Sequence, residues 1–228
     1  MSYEPPFTIT TVILNRVAEI SELVGRHIAP MEQSMDLRLR RINQIKTICG
    51  SLAIEGNTLN ESQITAILEG KPVIAPAREV QEAKNALAVY DQVESFQPCS
   101  EDDLLRAHYT LMLGLIDELG TYRRSGVGVM SGETVVHMAP PAERVSGLMA
   151  DLFQWLERTE VHPLIASSVF HYEFEFIHPF ADGNGRMGRL WQSLILADWQ
   201  TLFYYLPVES MVHQHHCLLY TSPSPRDA

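Results

Sequence analysis

Apolar residues recur at helical spacing along most of the chain. Near the N-terminus they fall three or four positions apart, at Val17, Ile20, Val24 and Ile28. This spacing predicts an amphipathic helix, because such residues share one helix face. Pro30 is expected to end it, since proline cannot donate the main-chain hydrogen bond that a helix interior needs. A second helix is expected over residues 31–54, ending near Glu55-Gly56-Asn57.

Two further helices are marked by capping residues at their starts. Asn60 precedes ESQITAILEG, a segment that Gly70 closes, and Ser100 precedes EDDLLRAHYTLML. Asn and Ser favour the position before a helix, and the three acids after Ser100 suit the positive end of the helix dipole. The chain is therefore predicted to be all-α, apart from one segment.

The exception is SGVGVMSGETVVHMAPP. Two short β-prone runs flank Ser131-Gly132-Glu133, and Pro140-Pro141 follows the second run. This arrangement is typical of a tight turn between two strands. It predicts a single β-hairpin over residues 126–139.

The composition is that of an ordinary globular protein. The chain has 228 residues, of which 46% are hydrophobic, so one large domain can bury a substantial core. Its formal net charge of −11 leaves no broad basic surface for nucleic acid or for an anionic membrane, so any anion site must be local. We therefore expect no membrane partner and no direct nucleic-acid binding by this chain.

The cysteines and the N-terminus indicate a cytoplasmic location. Cys49, Cys99 and Cys217 are too widely spaced for a disulfide framework or a zinc site. The opening MSYEPPFTIT lacks the positive charge and the apolar run of a signal peptide, and no stretch approaches membrane-spanning length.

The richest chemistry lies in IHPFADGNGRMGR, residues 177–189. Its glycines indicate a backbone that a ligand approaches closely, and its two arginines indicate that the ligand is anionic. The spacing of Gly183, Gly185 and Gly188 matches G-x-G-x-x-G, which favours a dinucleotide-binding oxidoreductase if a strand precedes it. The preceding SSVFHYEFEFI fits both a strand and a helix. The chain, however, shows no alternating strands and helices from which to build a parallel sheet.

A second interpretation gives the other residues of this segment a role. A helix from Met187 to about Trp199 would direct its free N–H groups at an anion. Arg186 and Arg189 could then bind phosphate oxygens, and Asp182 could hold a Mg²⁺ ion that also contacts the phosphates. His178, with an unperturbed pKa of about 6.5, is a candidate general base for an attacking hydroxyl.

The residues from His178 to Arg189 resemble the Fic motif, HPFx(D/E)GNGRxxR, at every specified position. The resemblance implies a Fic-type helical bundle with one β-hairpin flap, which transfers AMP from ATP to a hydroxyl of a target protein. It also implies roles for the motif residues: His178 as base, Asp182 on Mg²⁺, Gly183, Asn184 and Gly185 lining the phosphate site, and Arg186 and Arg189 on the outer phosphates. The chain keeps the glycine-and-asparagine centre that the related Doc kinases alter, so AMP transfer is favoured over phosphorylation. Transfer of another nucleotide or of phosphocholine stays open.

The resemblance extends to two other segments. The hairpin at 126–139 resembles the Fic flap, on which a target protein is expected to dock by strand pairing. Upstream, Ser51-Leu-Ala-Ile-Glu55-Gly56-Asn57 resembles the inhibitory motif (S/T)xxxE(G/N). Ser51 and Glu55 share one helix face, although on its own such a Glu is most simply solvated. In the family this Glu pairs with the second motif arginine, here Arg189, and blocks productive binding of the ATP γ-phosphate.

These patterns divide the chain into three parts. We expect an N-terminal helical region over 1–57 that carries the inhibitory motif, a Fic catalytic core over 58–210, and a tail over 211–228. The tail, which includes HQHHCLLYTSPSPRDA, has no periodicity and is expected to be disordered or non-native. The predicted function is an autoinhibited, Mg²⁺-dependent protein adenylyltransferase. The alternatives are a dinucleotide-binding oxidoreductase and a nucleotide-binding module without catalysis, and a homo-oligomer stays open.

Overall fold

The computed structural model describes residues 3–34, 37–126, 128–131 and 134–213. Eight α-helices are labelled in chain order: α1 (Thr11–Ser34), α2 (Leu37–Ile54), α3 (Glu61–Leu68), α4 (Ala77–Tyr90), α5 (Glu101–Met112), α6 (Ala142–Arg158), α7 (Pro163–Ile177) and α8 (Asn184–Trp199). Short 3₁₀ turns cover Val93–Ser95 and Thr201–Tyr204, and residues 208–213 are helical. The predicted helical bundle is confirmed.

Both predicted helix starts are confirmed by their caps. The Asn60 Oδ1 atom accepts a hydrogen bond of 2.9 Å from the N–H of Gln63, whose side chain accepts one of 3.0 Å from the N–H of Asn60. The Ser100 hydroxyl oxygen accepts a bond of 3.2 Å from the N–H of Asp103. Each cap satisfies a donor that the first helical turn leaves without an intrahelical partner.

The prediction that Pro30 ends the first helix is wrong, because α1 continues to Ser34 and α2 begins only at Leu37. Proline removes a single hydrogen bond, the one to the carbonyl group of Arg26. Arg26 is exposed, so water can satisfy that carbonyl group. The cost of the proline is thereby reduced.

The predicted hairpin segment contains two short strands, β1 (Gly128–Ser131) and β2 (Thr134–Met138). They pair antiparallel, with Gly128 opposite Met138 and a register shift between Val129 and Met130. Residues 127, 132 and 133 lie outside the described part of the chain. The turn predicted at Ser131-Gly132-Glu133 therefore stays a prediction.

Helices α7 and α8 pack against each other in the core, and the loop that connects them contains the start of the motif at residues 178–189. Phe170 and Phe174 of α7 and Trp191 and Leu194 of α8 are fully buried. Helices α2, α5 and α6 contact this pair, and α4 packs on α2 and α5. Along the described ranges, no helix is long and apolar enough to cross a membrane.

Residues 208–213 are helical and contact α2, so this helix includes the first three residues of the segment expected to be a tail. The Ser210 hydroxyl donates a bond of 2.6 Å to the carbonyl oxygen of Lys46. Gly50 makes room for this approach, since a Cβ atom there would lie 2.6 Å from the main-chain nitrogen of Ser210. Residues 214–228, the rest of the predicted tail, lie outside the described residues.

Candidate active site

The loop between α7 and α8 begins with an unusual backbone conformation. His178 caps the end of α7 with φ 51° and ψ 63°, in the left-handed region, and is the only non-glycine residue there among those described. A residue with a Cβ atom adopts this conformation at a cost of about 1 kcal/mol or more. The surrounding structure must therefore hold it.

Arg123 stabilises the backbone conformation of His178. Its side chain is buried and donates to four main-chain oxygens. Two lie at the end of α7, those of Ile177 (3.2 Å) and His178 (2.8 Å), and two lie next to the strand pair, those of Ser125 (2.9 Å) and Pro140 (2.6 Å). The Arg123 N–H also donates to the carbonyl oxygen of Pro179 at 2.9 Å. Because Ser125 precedes β1 and Pro140 follows β2, one guanidinium group joins the open end of the strand pair to the backbone of His178.

Phe180 anchors the middle of the loop in the core. It is fully buried and stacks on the ring of His108, with 3.7 Å between the ring centroids. The Nδ1 atom of His108 accepts a bond from the N–H of Gly120, so the proton lies on Nε2, which contacts the carbonyl oxygen of Asp182 at 3.1 Å. Burial lowers the pKa of His108 to about 4, so this ring is neutral at cellular pH. His108 thus fixes the backbone at Asp182.

Asn184 closes the loop from the α8 side. Its side-chain oxygen accepts from the N–H of Phe180, and its Nδ2 atom donates to the carbonyl oxygen of Phe180, both at 2.8 Å. The side chain is buried and engaged by these bonds. A contribution of Asn184 to a phosphate site would therefore come from its main-chain N–H.

The N-terminus of α8 lies three residues earlier than predicted, at Asn184 rather than Met187. Gly183 precedes it with φ 85°, where a Cβ atom would also lie 2.7 Å from the sulfur of Met112. No side chain of the described residues caps this helix. Helix geometry leaves its first N–H groups without intrahelical acceptors, and these donors together with the helix dipole suit an anion.

Arg186 lies in the first turn of α8 and is mostly buried. Its Nη1 atom is 3.7 Å from Glu82 of α4, and its Nη2 atom is 3.6 Å from Asp182. Its Nε atom is buried and has no hydrogen-bond partner in the part of the chain that the structure describes. Because both ion-pair distances exceed 3.5 Å, the Arg186 guanidinium group could form shorter, charge-assisted hydrogen bonds to an incoming phosphate.

Asp182 fits a magnesium ion that arrives with phosphates. Its side chain is partly exposed, with Oδ1 accepting from the N–H of Gly183 at 2.6 Å and Oδ2 accepting from Arg78 at 3.2 Å. No three His, Cys, Asp or Glu side chains gather into a metal site within the described ranges. Mg²⁺ bound by one carboxylate, substrate phosphates and water needs no such cluster.

Arg189, one turn further along α8, is held by the upstream segment. Its Nη2 atom donates to Glu55 Oε1 at 2.7 Å and to the carbonyl oxygen of Ser51 at 3.1 Å, and its Nε atom donates to the Ser51 hydroxyl at 3.2 Å. The pairing that the sequence resemblance implies between Glu55 and Arg189 is therefore present. Gly185 faces the same contact, because a Cβ atom there would overlap Glu55 Oε1.

Glu175 lies between this ion pair and His178. Its Oε2 atom is 3.9 Å from His178 Nδ1, and a Cβ atom on Gly188 would approach its Oε1 atom. About a third of the side chain is exposed, but Oε1 is buried. Burial raises the pKa of Glu175 to about 7, with Arg189 opposing the rise and Glu55 adding to it.

The dinucleotide interpretation does not fit this geometry. The segment before the glycines, ambiguous in the sequence, is the helix α7, and the described part of the chain contains only the antiparallel β1–β2 sheet. The G-x-G-x-x-G fingerprint needs a preceding strand of a parallel sheet. The glycine spacing has another cause here, because Gly185 and Gly188 lie inside α8 and make room for Glu55 and Glu175.

The sequence profile of the Fic/DOC family matches residues 98–196, which include the whole loop and the start of α8. These residues belong to the Fic/DOC family. A solved Fic family protein from Desulfovibrio desulfuricans G20 is 58% identical, with a TM-score of 0.89 over 93% of this chain and 65% of that one. A fragment of Fic-1 from C. elegans is 25% identical, with a TM-score of 0.65 over 90% of this chain and 65% of the fragment.

The Fic domain is also homologous to proteins named as adenylyltransferases. Protein adenylyltransferase fic-1 of Caenorhabditis briggsae is 32% identical over 196 residues, which cover 79% of this chain and 37% of that protein. The chain spans little more than a third of the length of such relatives.

The sequence did not predict that four residues outside the motif would contact the site: Arg78, Glu82, His108 and Arg123. They reach the loop from α4, from α5 and from the segment before β1. His108 gave a weak signal, because a histidine on the apolar face of an amphipathic helix needs buried partners. The others belong to ordinary charged stretches, and nothing in their spacing distinguishes them.

Proposed function

We propose that this chain is an autoinhibited, Mg²⁺-dependent protein adenylyltransferase that transfers AMP from ATP to a Ser, Thr or Tyr hydroxyl of a target protein. The observation that carries the proposal is that Asp182, Arg186 and Arg189 lie at the N-terminus of α8, which no side chain of the described residues caps, and that His178 begins the same loop. This is a site for several phosphates beside a candidate base. The homology to adenylyltransferases supports this reaction class.

In the proposed reaction, the target hydroxyl oxygen attacks the α-phosphorus of ATP. His178 accepts the hydroxyl proton, the bond between the α-phosphorus and the bridging oxygen breaks, and pyrophosphate leaves with that oxygen. Arg186 and the first N–H groups of α8 stabilise charge on the phosphates. Mg²⁺, held by Asp182, would supply further neutralisation of the phosphate charge.

Autoinhibition is proposed to act through Arg189. Three hydrogen bonds to Ser51 and Glu55 occupy its guanidinium group. A γ-phosphate in the productive position would lose this donor and would meet the carboxylate of Glu55. Release of Glu55 would make Arg189 available to the nucleotide.

The strand pair β1–β2 is the proposed docking surface for the target. Its outer edges offer main-chain donors and acceptors, which can align an extended segment without requiring one sequence. Arg123 holds the open end of the pair, next to Gly128 and Met138, relative to His178. The hydroxyl group of a docked target segment would therefore keep a constant position relative to His178.

The assignment of the base is tested by replacing His178 with Ala in a Glu55→Gly background. Transfer of label from the α-phosphate of ATP to protein should be abolished, while ATP binding, measured by calorimetry, should stay within about threefold because no phosphate contact is lost. Transfer that survives in the variant would mean that another group is the base.

A further inference from the structure

Arg78 reaches the catalytic loop from a different element, the first turn of α4. Its Nη2 atom donates to Asp182 Oδ2 at 3.2 Å, and its Nε atom donates to Glu82 Oε1 at 3.3 Å. Its own side chain is 57% exposed, whereas that of Glu82 is 13% exposed. An exposed guanidinium group therefore pairs with the same carboxylate that is proposed to hold magnesium.

These groups form a closed ring of alternating charge. Glu82 Oε1 lies 3.3 Å from Arg78 and 3.7 Å from Arg186, and both arginines contact Asp182. Asn57 orients Glu82 from the upstream segment by donating to Oε2 at 2.9 Å. Arg78 thus pairs with both Glu82 and Asp182 while its side chain stays exposed to water.

A divalent cation that approaches Asp182 alone meets two guanidinium groups. It must displace Arg78 and remain close to Arg186, and like charges at such distances repel. A cation that arrives with a triphosphate brings its own negative charge, which offsets both arginines. The ring therefore disfavours free metal and accepts the metal–nucleotide complex.

We propose that the guanidinium group of Arg78 takes the place of a metal ion beside Asp182 in the nucleotide-free chain. It thereby weakens the binding of free Mg²⁺ at this site and makes metal binding depend on nucleotide. The inference rests on the proposed function only in taking Asp182 as the metal ligand. Arg78 suits the role better than Arg186, because its exposed side chain can move into water while Arg186 is buried.

The test is a titration of the nucleotide-free chain with Mn²⁺, with free Mn²⁺ measured by electron paramagnetic resonance. In Arg78→Gln one Mn²⁺ should bind about three- to fivefold more tightly than in the unchanged chain, the upper part of the range expected when a partly exposed ion pair is removed. Arg41→Gln is the matched control, since Arg41 also forms a partly exposed ion pair, with Asp91 at 2.7 Å, away from the loop. It should bind Mn²⁺ as the unchanged chain does.

The location of the tighter site is checked by adding Asp182→Asn to Arg78→Gln, which should abolish the gain. Equal Mn²⁺ affinity in Arg78→Gln and the unchanged chain would overturn the inference. So would a gain that survives Asp182→Asn, or a gain of the same size in Arg41→Gln. Thermal unfolding followed by circular dichroism confirms that each variant is folded.

Nucleotide should remove the difference. With the non-hydrolysable analogue α,β-methylene-ATP present, the unchanged chain and Arg78→Gln should bind Mn²⁺ with affinities within about twofold of each other. The negative charge of the phosphates then offsets the repulsion between Arg78 and the metal ion. Markedly weaker binding in Arg78→Gln would make Arg78 a phosphate ligand and contradict the inference. These titrations do not require AMP transfer, so a failure of the proposed activity is seen separately, in the labelling experiment.

Discussion

Arg189 is the residue on which the proposed inhibition depends. Glu55→Gly frees its guanidinium group for the γ-phosphate, so we expect self-modification and target modification to rise at least about tenfold, equivalent to about 1.4 kcal/mol. Initial rates of label transfer from ATP, at equal concentrations of folded protein, measure the change. Adding Arg189→Ala should remove the gain, because the arginine is then needed by the nucleotide.

A matched control for this prediction is Glu69→Gly. Glu69 likewise follows the last residue of a helix, is exposed and pairs with a basic residue, Lys71, but it lies at the end of α3 and its partner is two residues away. It should leave transfer unchanged. If Glu55→Gly behaves like Glu69→Gly while His178→Ala removes transfer, the Glu55–Arg189 pair is structural and inhibition is absent.

At the scale of elements, Arg123 joins the C-terminal end of α7 to the residues just before β1 and just after β2 by hydrogen bonds. Arg123→Ala leaves the carbonyl oxygens of Ile177 and His178 without a buried donor, and each such loss costs about 1–3 kcal/mol. We expect a loss of at least about 3 kcal/mol in the free energy of unfolding, measured with urea. The neighbouring Arg124, which is exposed, gives the control Arg124→Ala, which should change the free energy by less than about 0.5 kcal/mol. Equal values for the two variants would contradict this account of Arg123.

The helices show which features a sequence can predict. Asn60 and Ser100 cap helices through contacts three residues away, so the local sequence contains the whole interaction. The motif from His178 to Arg189 is likewise contiguous, and it identified the candidate site. Pro30 misled the interpretation because a helix tolerates one missing bond where the facing carbonyl group is hydrated.

The groups around the motif could not be predicted in this way. Arg123 contacts the carbonyl group of His178 across 55 positions of the chain, and Arg78 contacts Asp182 across 104. Their roles exist only after α4, α5 and α7 have packed together. The same holds for the buried state of His108, which the tertiary structure creates.

At the scale of the whole molecule, buried carboxyl groups set a pH dependence of stability. Glu209 is buried, accepts a bond of 2.9 Å from the Ser193 hydroxyl, and has its pKa raised to about 7, chiefly by burial. Its unfolded pKa is near 4.5, so between these values the folded chain binds more protons than the unfolded chain. Its contribution to stability is therefore fully present below about pH 4.5 and is lost as the pH rises through about 7.

Glu209→Gln removes this titration. We expect the drop in free energy of unfolding between pH 5 and pH 8, measured with urea, to be smaller in the variant than in the unchanged chain. Glu175, whose pKa is also raised to about 7, contributes the same sign and remains in both proteins. Equal drops would show that Glu209 does not titrate in this range.

The central claim, transfer of AMP, is tested most directly by supplying Glu55→Gly with ATP labelled at either the α- or the γ-phosphate in the presence of Mg²⁺. We expect that label from the α-phosphate becomes covalently bound to protein, that label from the γ-phosphate leaves in pyrophosphate, and that His178→Ala in the same background removes the bound label. Protein-bound label from the γ-phosphate would instead show phosphorylation, and bound label from neither position, with ATP still bound by the folded chain, would contradict the claim of AMP transfer.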